Sequence, residues 1–134
     1  MTGERERLIV VDAANVVGSR PDGWWRDRAG AARRLLEKLA VLDQKVSEAI
    51  EVVVVFEGAA RRAVDDAPQL GEVRVVLADG SGDDAIVDVV RDAAAEDSDR
   101  AITVVTADRG LRERIDAYGA ESVGPRWLWE LLDQ

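Results

Sequence analysis

The stretch "LIVVDAANVVGSRPDGWW", residues 8–25, decides how the rest of the chain is read. Leu8 to Val11 are four consecutive apolar residues that run straight into an acid, Asp12, with an amide, Asn15, three residues on. Side chains alternate faces along a strand, so a strand that is apolar at every position has both faces buried. That is the habit of a parallel sheet covered by helices on each side. A buried strand that ends on a charge places that charge where something needs it.

The same signature recurs along the chain. Val52–Phe56, Val73–Leu77 and Ile102–Val105 are further apolar, β-branched runs, and Ser122–Val123 is a short one. Between them the period changes to that of helices. Residues 26–43 place Ala32, Leu35, Leu36, Leu39 and Leu42 on one face, and residues 82–95 do the same with Ile86, Val89, Val90 and Ala93. Residues 109–118 group Leu111, Ile115 and Tyr118, and residues 126–132 close the chain behind Pro125, which suits a first helical position. Residues 58–70 are polar, with Arg61, Arg62 and Pro68, and read as a loop or short helix. Alternating strands and helices predict a three-layer α/β domain, doubly wound, spanning residues 1–134 as a single unit. In such sheets the chemistry gathers beyond the carboxyl ends of the strands, where strand order reverses.

Composition narrows that chemistry. The 134 residues contain no cysteine and no histidine. Disulfides, thiolate sites, imidazole zinc sites and histidine acid–base work are therefore excluded. Any metal must be held by oxygen, which points to Mg²⁺ or Mn²⁺. Net charge is −9, which argues against a bulk coater of nucleic acid but leaves room for acids concentrated in one pocket. The opening "MTGERER" is charged, with no long apolar stretch behind it, and the longest apolar run is "VVVVF". Neither a signal peptide nor a membrane span is expected, so a cytoplasmic location is.

The acids fall where the sheet should keep its site. Asp12 ends the first strand, Glu57 ends the second, and Asp108 follows the fourth. Asp83 and Asp84 open the helix after the third. Carboxylates gathered on one edge repel one another unless protonated or matched by cations. With few lysines and no histidine, a divalent ion is the natural match, and two ions about 3.5–4 Å apart can hold both oxygens of a phosphodiester exchange. Each acid also has a structural explanation. Asp108 suits a helix N-cap, Ser81 with Asp84 a capping box, and Asp12 with Asn15 a turn. Asn15 adds no repulsion and could orient a phosphate or secure Asp12. Trp24 could stack on a base or plug the start of a helix. Arg20, Arg61 and Arg109 are candidate phosphate contacts, or ordinary solvated side chains.

Taken in order, "VVDAANVV", "VVVVFEG", "GSGDDAIVDVV", "VVTADRGLRERIDAYGA" and "GPRWLWELL" resemble the PIN-like nucleases, and most closely their NYN subgroup of the YacP type. The resemblance spans nearly the whole chain. It implies a Rossmann-like sheet of order 3-2-1-4-5, a Mg²⁺ or Mn²⁺ site, and endoribonuclease cleavage of RNA leaving 5′-phosphate and 3′-hydroxyl ends. It implies Asp12, Asp83 and Asp108 as the metal acids, Asp84 and Glu57 as supporting ligands, and Asn15 as the amide of the site. RNA is the implied partner, with a protein partner or homodimer as an alternative association. Rival readings are a PIN-like module that binds without cutting, and a nucleotide pyrophosphohydrolase on the same metals. A dehalogenase-type phosphatase needs a second acid where Ala14 stands, and "DAANVVGS" is not a dinucleotide-binding glycine loop.

Overall fold

A computed structural model describes residues 6–20, 23–57 and 73–133, with the side chains of Trp24 and Asp43 outside that description. Five strands are present, β1 (Arg7–Asp12), β2 (Ile50–Phe56), β3 (Arg74–Leu77), β4 (Ile102–Val105) and β5 (Glu121–Val123). They form one sheet of order β3-β2-β1-β4-β5, and every pair is parallel. The expected order is therefore found. Among the described residues five α-helices accompany the strands: α1 (Ala13–Gly18), α2 (Arg28–Leu39), α3 (Gly82–Glu96), α4 (Arg109–Asp116) and α5 (Pro125–Leu132).

The apolar runs are explained by what covers each face. Along β1, Ile9 and Val11 join a cluster with α1, α2 and α5, whereas Leu8 and Val10 join a second cluster with α3 and α4. Along β2, Val52, Val54 and Phe56 face the first cluster, and Val53 and Val55 the second. Val10, Val11, Val53 and Val54 are wholly shielded from solvent. A polar residue at any of them would lose water without gaining a partner, at a cost of about 1–3 kcal/mol.

Three boundaries differ from expectation. The single helix expected over 26–43 is α2 flanked by two 3₁₀ turns, Trp24–Arg26 and Leu42–Gln44. Asp27 caps α2 by accepting from the Gly30 N–H at 2.9 Å, so the helix cannot begin earlier. The helix expected over 109–118 ends at Asp116, because Gly119 takes a positive φ of 80° and turns the chain into β5. The third is α1, which the sequence left as a turn. It springs directly off β1, with Asp12 as its N-cap. Residues 58–70, including Arg61, Arg62 and Pro68, lie outside the described residues.

Candidate active site

Strand alternation places the acids before any contact is considered. In β1, Leu8 and Val10 face α3 and α4, so Asp12 points the same way. Continuing the pleat one residue past β2 and β4 brings Glu57 and Thr106 to that face as well. The helices on that face begin at Gly82 and Arg109, so Asp83 and Asp108 start from the same edge. The sheet reverses direction here, since β1 lies between β2 and β4. The site thus sits at the switch point of a doubly wound sheet.

Asp12 is only 7% exposed. Its Oδ2 accepts from the Thr106 hydroxyl at 2.9 Å, and its Oδ1 accepts from the Asn15 N–H at 3.4 Å. Burial raises its pKa above the ordinary carboxylate value, the two hydrogen bonds oppose this, and the charges of Asp83 and Glu57 raise it further. Asp83 is also shifted upward. Burial is the largest cause, followed by the charges of Asp108 and Glu57, while Arg114 pulls it down. Hydrogen-bonding contact with the Asp108 side chain adds to the rise, because it favours a proton on Asp83. Asp12 and Asp83 therefore feel each other or a shared neighbour, Glu57, and Asp108 joins through Asp83, so the four acids form a linked electrostatic group.

Glu57 and Asp108, like Asp12, are also held by the protein. Glu57 accepts from the Gly82 N–H, which ties the end of β2 to the start of α3. The approach is close enough that a Cβ at position 82 would lie 2.7 Å from Glu57 Oε2, so glycine is the residue that lets the two meet. Asp108 caps α4 through the Leu111 N–H at 3.1 Å, and Ser81 caps α3 through the Asp83 N–H at 3.1 Å. The capping roles read from sequence are real, and they coexist with the cluster. Among the described residues, no three acidic side chains are already drawn together tightly enough to form a cage for a metal ion.

The other candidates divide. Asn15 Oδ1 accepts from the Ala107 N–H at 2.9 Å, which fastens α1 to the turn after β4 and leaves its NH₂ as the donor end. Asp84 is exposed and pairs with Arg114 at 2.9 Å, so it stands apart from the groups acting on Asp12 and Asp83. Arg109 is exposed beside Asp108 at the mouth of the site. Arg20 is drawn elsewhere. It pairs with Asp133 and lies 3.8 Å over the Trp129 ring. Trp24 has its backbone in a 3₁₀ turn, while its side chain, like the whole of Arg61, lies outside the description.

Two residues that bind the site together were not read from sequence. Thr106 is fully buried, and its hydroxyl both donates to Asp12 and accepts from the Asp108 N–H at 3.1 Å. Arg112 holds the same turn by donating to the Thr106 carbonyl from Nε and Nη2, at 3.2 and 3.0 Å. The spacing in "VVTAD", a hydroxyl two residues before an acid at a strand end, was the available signal.

Residues 9–134 match the family described as the YacP-like NYN domain. The chain belongs to the YacP-like NYN domain family. That membership carries a nuclease-type, RNA-related function. NYN and PIN-like nucleases generally use divalent metals. The fold agrees with that of crystal structures of Rae1 (YacP) from Bacillus subtilis. One superimposes with a TM-score of 0.77 at 21% identity, covering 94% of this chain and 73% of that one. A mutant form of the same protein gives a TM-score of 0.72 at 22% identity, covering 94% and 74%. Among curated proteins there is no match. Among the described residues of this YacP-like NYN domain, no helix is long and apolar enough to cross a membrane.

Proposed function

We propose that this protein is a metal-dependent endoribonuclease of the cytoplasm, with Mg²⁺ or Mn²⁺ held by Asp12, Asp83 and Asp108. The observation that carries the reading is the mutual electrostatic coupling of four carboxylates at the switch point. Burial and neighbouring negative charge push Asp12 and Asp83 toward protonation, and among the described residues Arg114 is the one cation acting on either. The donor set is all oxygen, which suits a hard divalent ion. When bound, that ion supplies activation of water and stabilisation of the charge developing on a phosphodiester.

The chain's own residues do the rest. Thr106 fixes the rotamer of Asp12, so that one carboxylate oxygen is turned by Thr106 and the other by the backbone of α1. Glu57 acts from the end of β2, and Asp84 supports α3 from outside through Arg114. The NH₂ of Asn15 is left to orient a phosphate oxygen, with Arg109 at the rim. The deciding experiment measures cleavage of RNA with Mg²⁺, with Mn²⁺ and with EDTA, for the wild type and for Asp12→Asn and Asp83→Asn. Cutting that needs metal and disappears in both variants is expected. Cutting that persists in EDTA or in both variants overturns the assignment.

One observation favours a second reading, a domain that binds RNA or protein without cutting. Asp12, Glu57, Asp84 and Asp108 already have a protein hydrogen bond or ion pair, and no three acids are gathered as a cage among the described residues. RNA binding with no cleavage in either metal, unchanged in the two variants, is the result that would establish it.

A further inference from the structure

On the face opposite the acids, a shallow groove of about 200 Å³ runs between α1, α2 and α5. Its walls carry Arg20, Arg34 and Lys38, its floor includes Val17 and Leu35, and Trp129 closes one side. Arg34 and Lys38 lie four residues apart on α2 and so share one face of the helix. Arg20 reaches in from the end of α1, stacked on Trp129. The indole is itself held, since its Nε1 donates to the Ser19 hydroxyl at 3.0 Å. Asp133 pairs with Arg20 and lies 3.8 Å from Lys38, so among the described residues three positive charges are met by one negative. In a chain of net charge −9 this is a local excess of two positive charges.

That excess has an electrostatic use. An acidic protein with four carboxylates at its site repels RNA, so a strand must gain its attraction elsewhere on the surface. The groove is too small to enclose a drug-sized ligand, which takes about 300–1,000 Å³. It does suit a backbone phosphate and its sugar lying across the surface. Guanidinium forks match phosphate oxygens, and cationic grooves track single strands.

We infer that the groove formed by Arg20, Arg34, Lys38 and Trp129 is a second anion site, which takes a backbone phosphate of single-stranded RNA outside the acid cluster. The inference rests on the reading of this domain as a ribonuclease, but binding tests it separately from cutting. Fluorescence anisotropy of a labelled single-stranded RNA, measured in EDTA across a salt series, compares three proteins. These are the wild type, Arg34→Gln with Lys38→Gln, and Arg91→Gln with Arg126→Gln as a control of equal charge change outside the groove. The groove variant should bind at least about 10-fold more weakly, with a salt slope shallower by about 0.7, the value for one lost phosphate contact on a single strand. The control should stay near wild type in both. Equal weakening in the two double variants overturns the site, because charge alone then governs binding. Wild-type RNA affinity in the groove variant, together with lost binding to an acidic peptide, also overturns it and gives the groove to a protein partner. If metal-dependent cleavage fails while the groove variant still loses affinity, the nuclease assignment falls and the anion site stands.

Discussion

The two edges of the sheet handle charge in opposite ways. At the amino ends of the strands Glu48, Glu51 and Glu121 each meet an arginine. Arg7 bonds to Glu121 at 3.1 Å, to Thr103 at 3.0 Å and lies 3.2 Å from Glu48, while Arg100 bonds to Glu51 at 2.7 Å and to the Glu6 carbonyl at 2.8 Å. At the carboxyl ends Asp12 feels the charges of Asp83 and Glu57, and Asp83 those of Asp108 and Glu57, while backbone N–H groups and one hydroxyl donate to Asp12, Glu57 and Asp108. The same five strands supply both edges. One edge is internally neutralised and the other is left with unspent negative charge, which singles out the second as the place where a cation from solution belongs.

The largest effect that would sharpen this contrast is on activity. Asp12→Asn or Asp108→Asn should lower metal-dependent RNA cleavage by at least about 100-fold, measured as initial rates, the scale on which one transition-state-stabilising group acts. Next comes Thr106→Val, which removes the hydroxyl between Asp12 and Asp108. It should weaken Mn²⁺ affinity about 10- to 100-fold by titration calorimetry, with Thr106→Ser close to wild type. Saturating Mn²⁺ should raise the melting temperature of the wild type by several degrees, because an ion at 100 times its dissociation constant adds about 2.7 kcal/mol. The rise should vanish in Asp12→Asn, and an equal rise there would place the ion elsewhere.

The neutralised edge should respond differently. Arg100→Gln breaks a half-buried pair with Glu51 and should cost about 1 kcal/mol in urea unfolding while leaving cleavage unchanged. A loss of cleavage on that scale of destabilisation would erase the distinction between the edges.

The smallest effect concerns pH in metal-free protein. Asp12 and Asp83 have folded pKa values above their unfolded value of 3.8. The folded state then binds more protons than the unfolded chain between the two values, so stability falls as pH rises through that window and stays lowered above it. Asp83→Asn should remove part of that fall and melt no lower than wild type at pH 7 in EDTA. A clear drop in melting temperature would make Asp83 a structural residue.

Much of this was legible because buried strands write themselves plainly. "LIVV", "VVVVF" and "ITVV" are apolar on both faces, and a residue that ends such a run with a charge is conspicuous. Caps were legible for the same reason, since Ser81 and Asp108 stand at the start of periodic segments. The rest was hidden by distance or brevity. α1 is six residues long, too short to display a period, and its apolar Val16 reads as a continuation of the strand region. Thr106 looks like one more β-branched residue until Asp12, 94 positions away, is placed beside it. Arg20 is a candidate phosphate contact from sequence, but its place was hidden, because the pair with Asp133, 113 residues on, sets its guanidinium in the groove on the face away from the acids.

The contact between Glu57 and the Gly82 N–H has one more consequence. A side chain at 82 would displace the end of the Glu57 side chain and with it this one hydrogen bond. The residue with the least side chain in the molecule therefore decides how closely Glu57 can approach the start of α3.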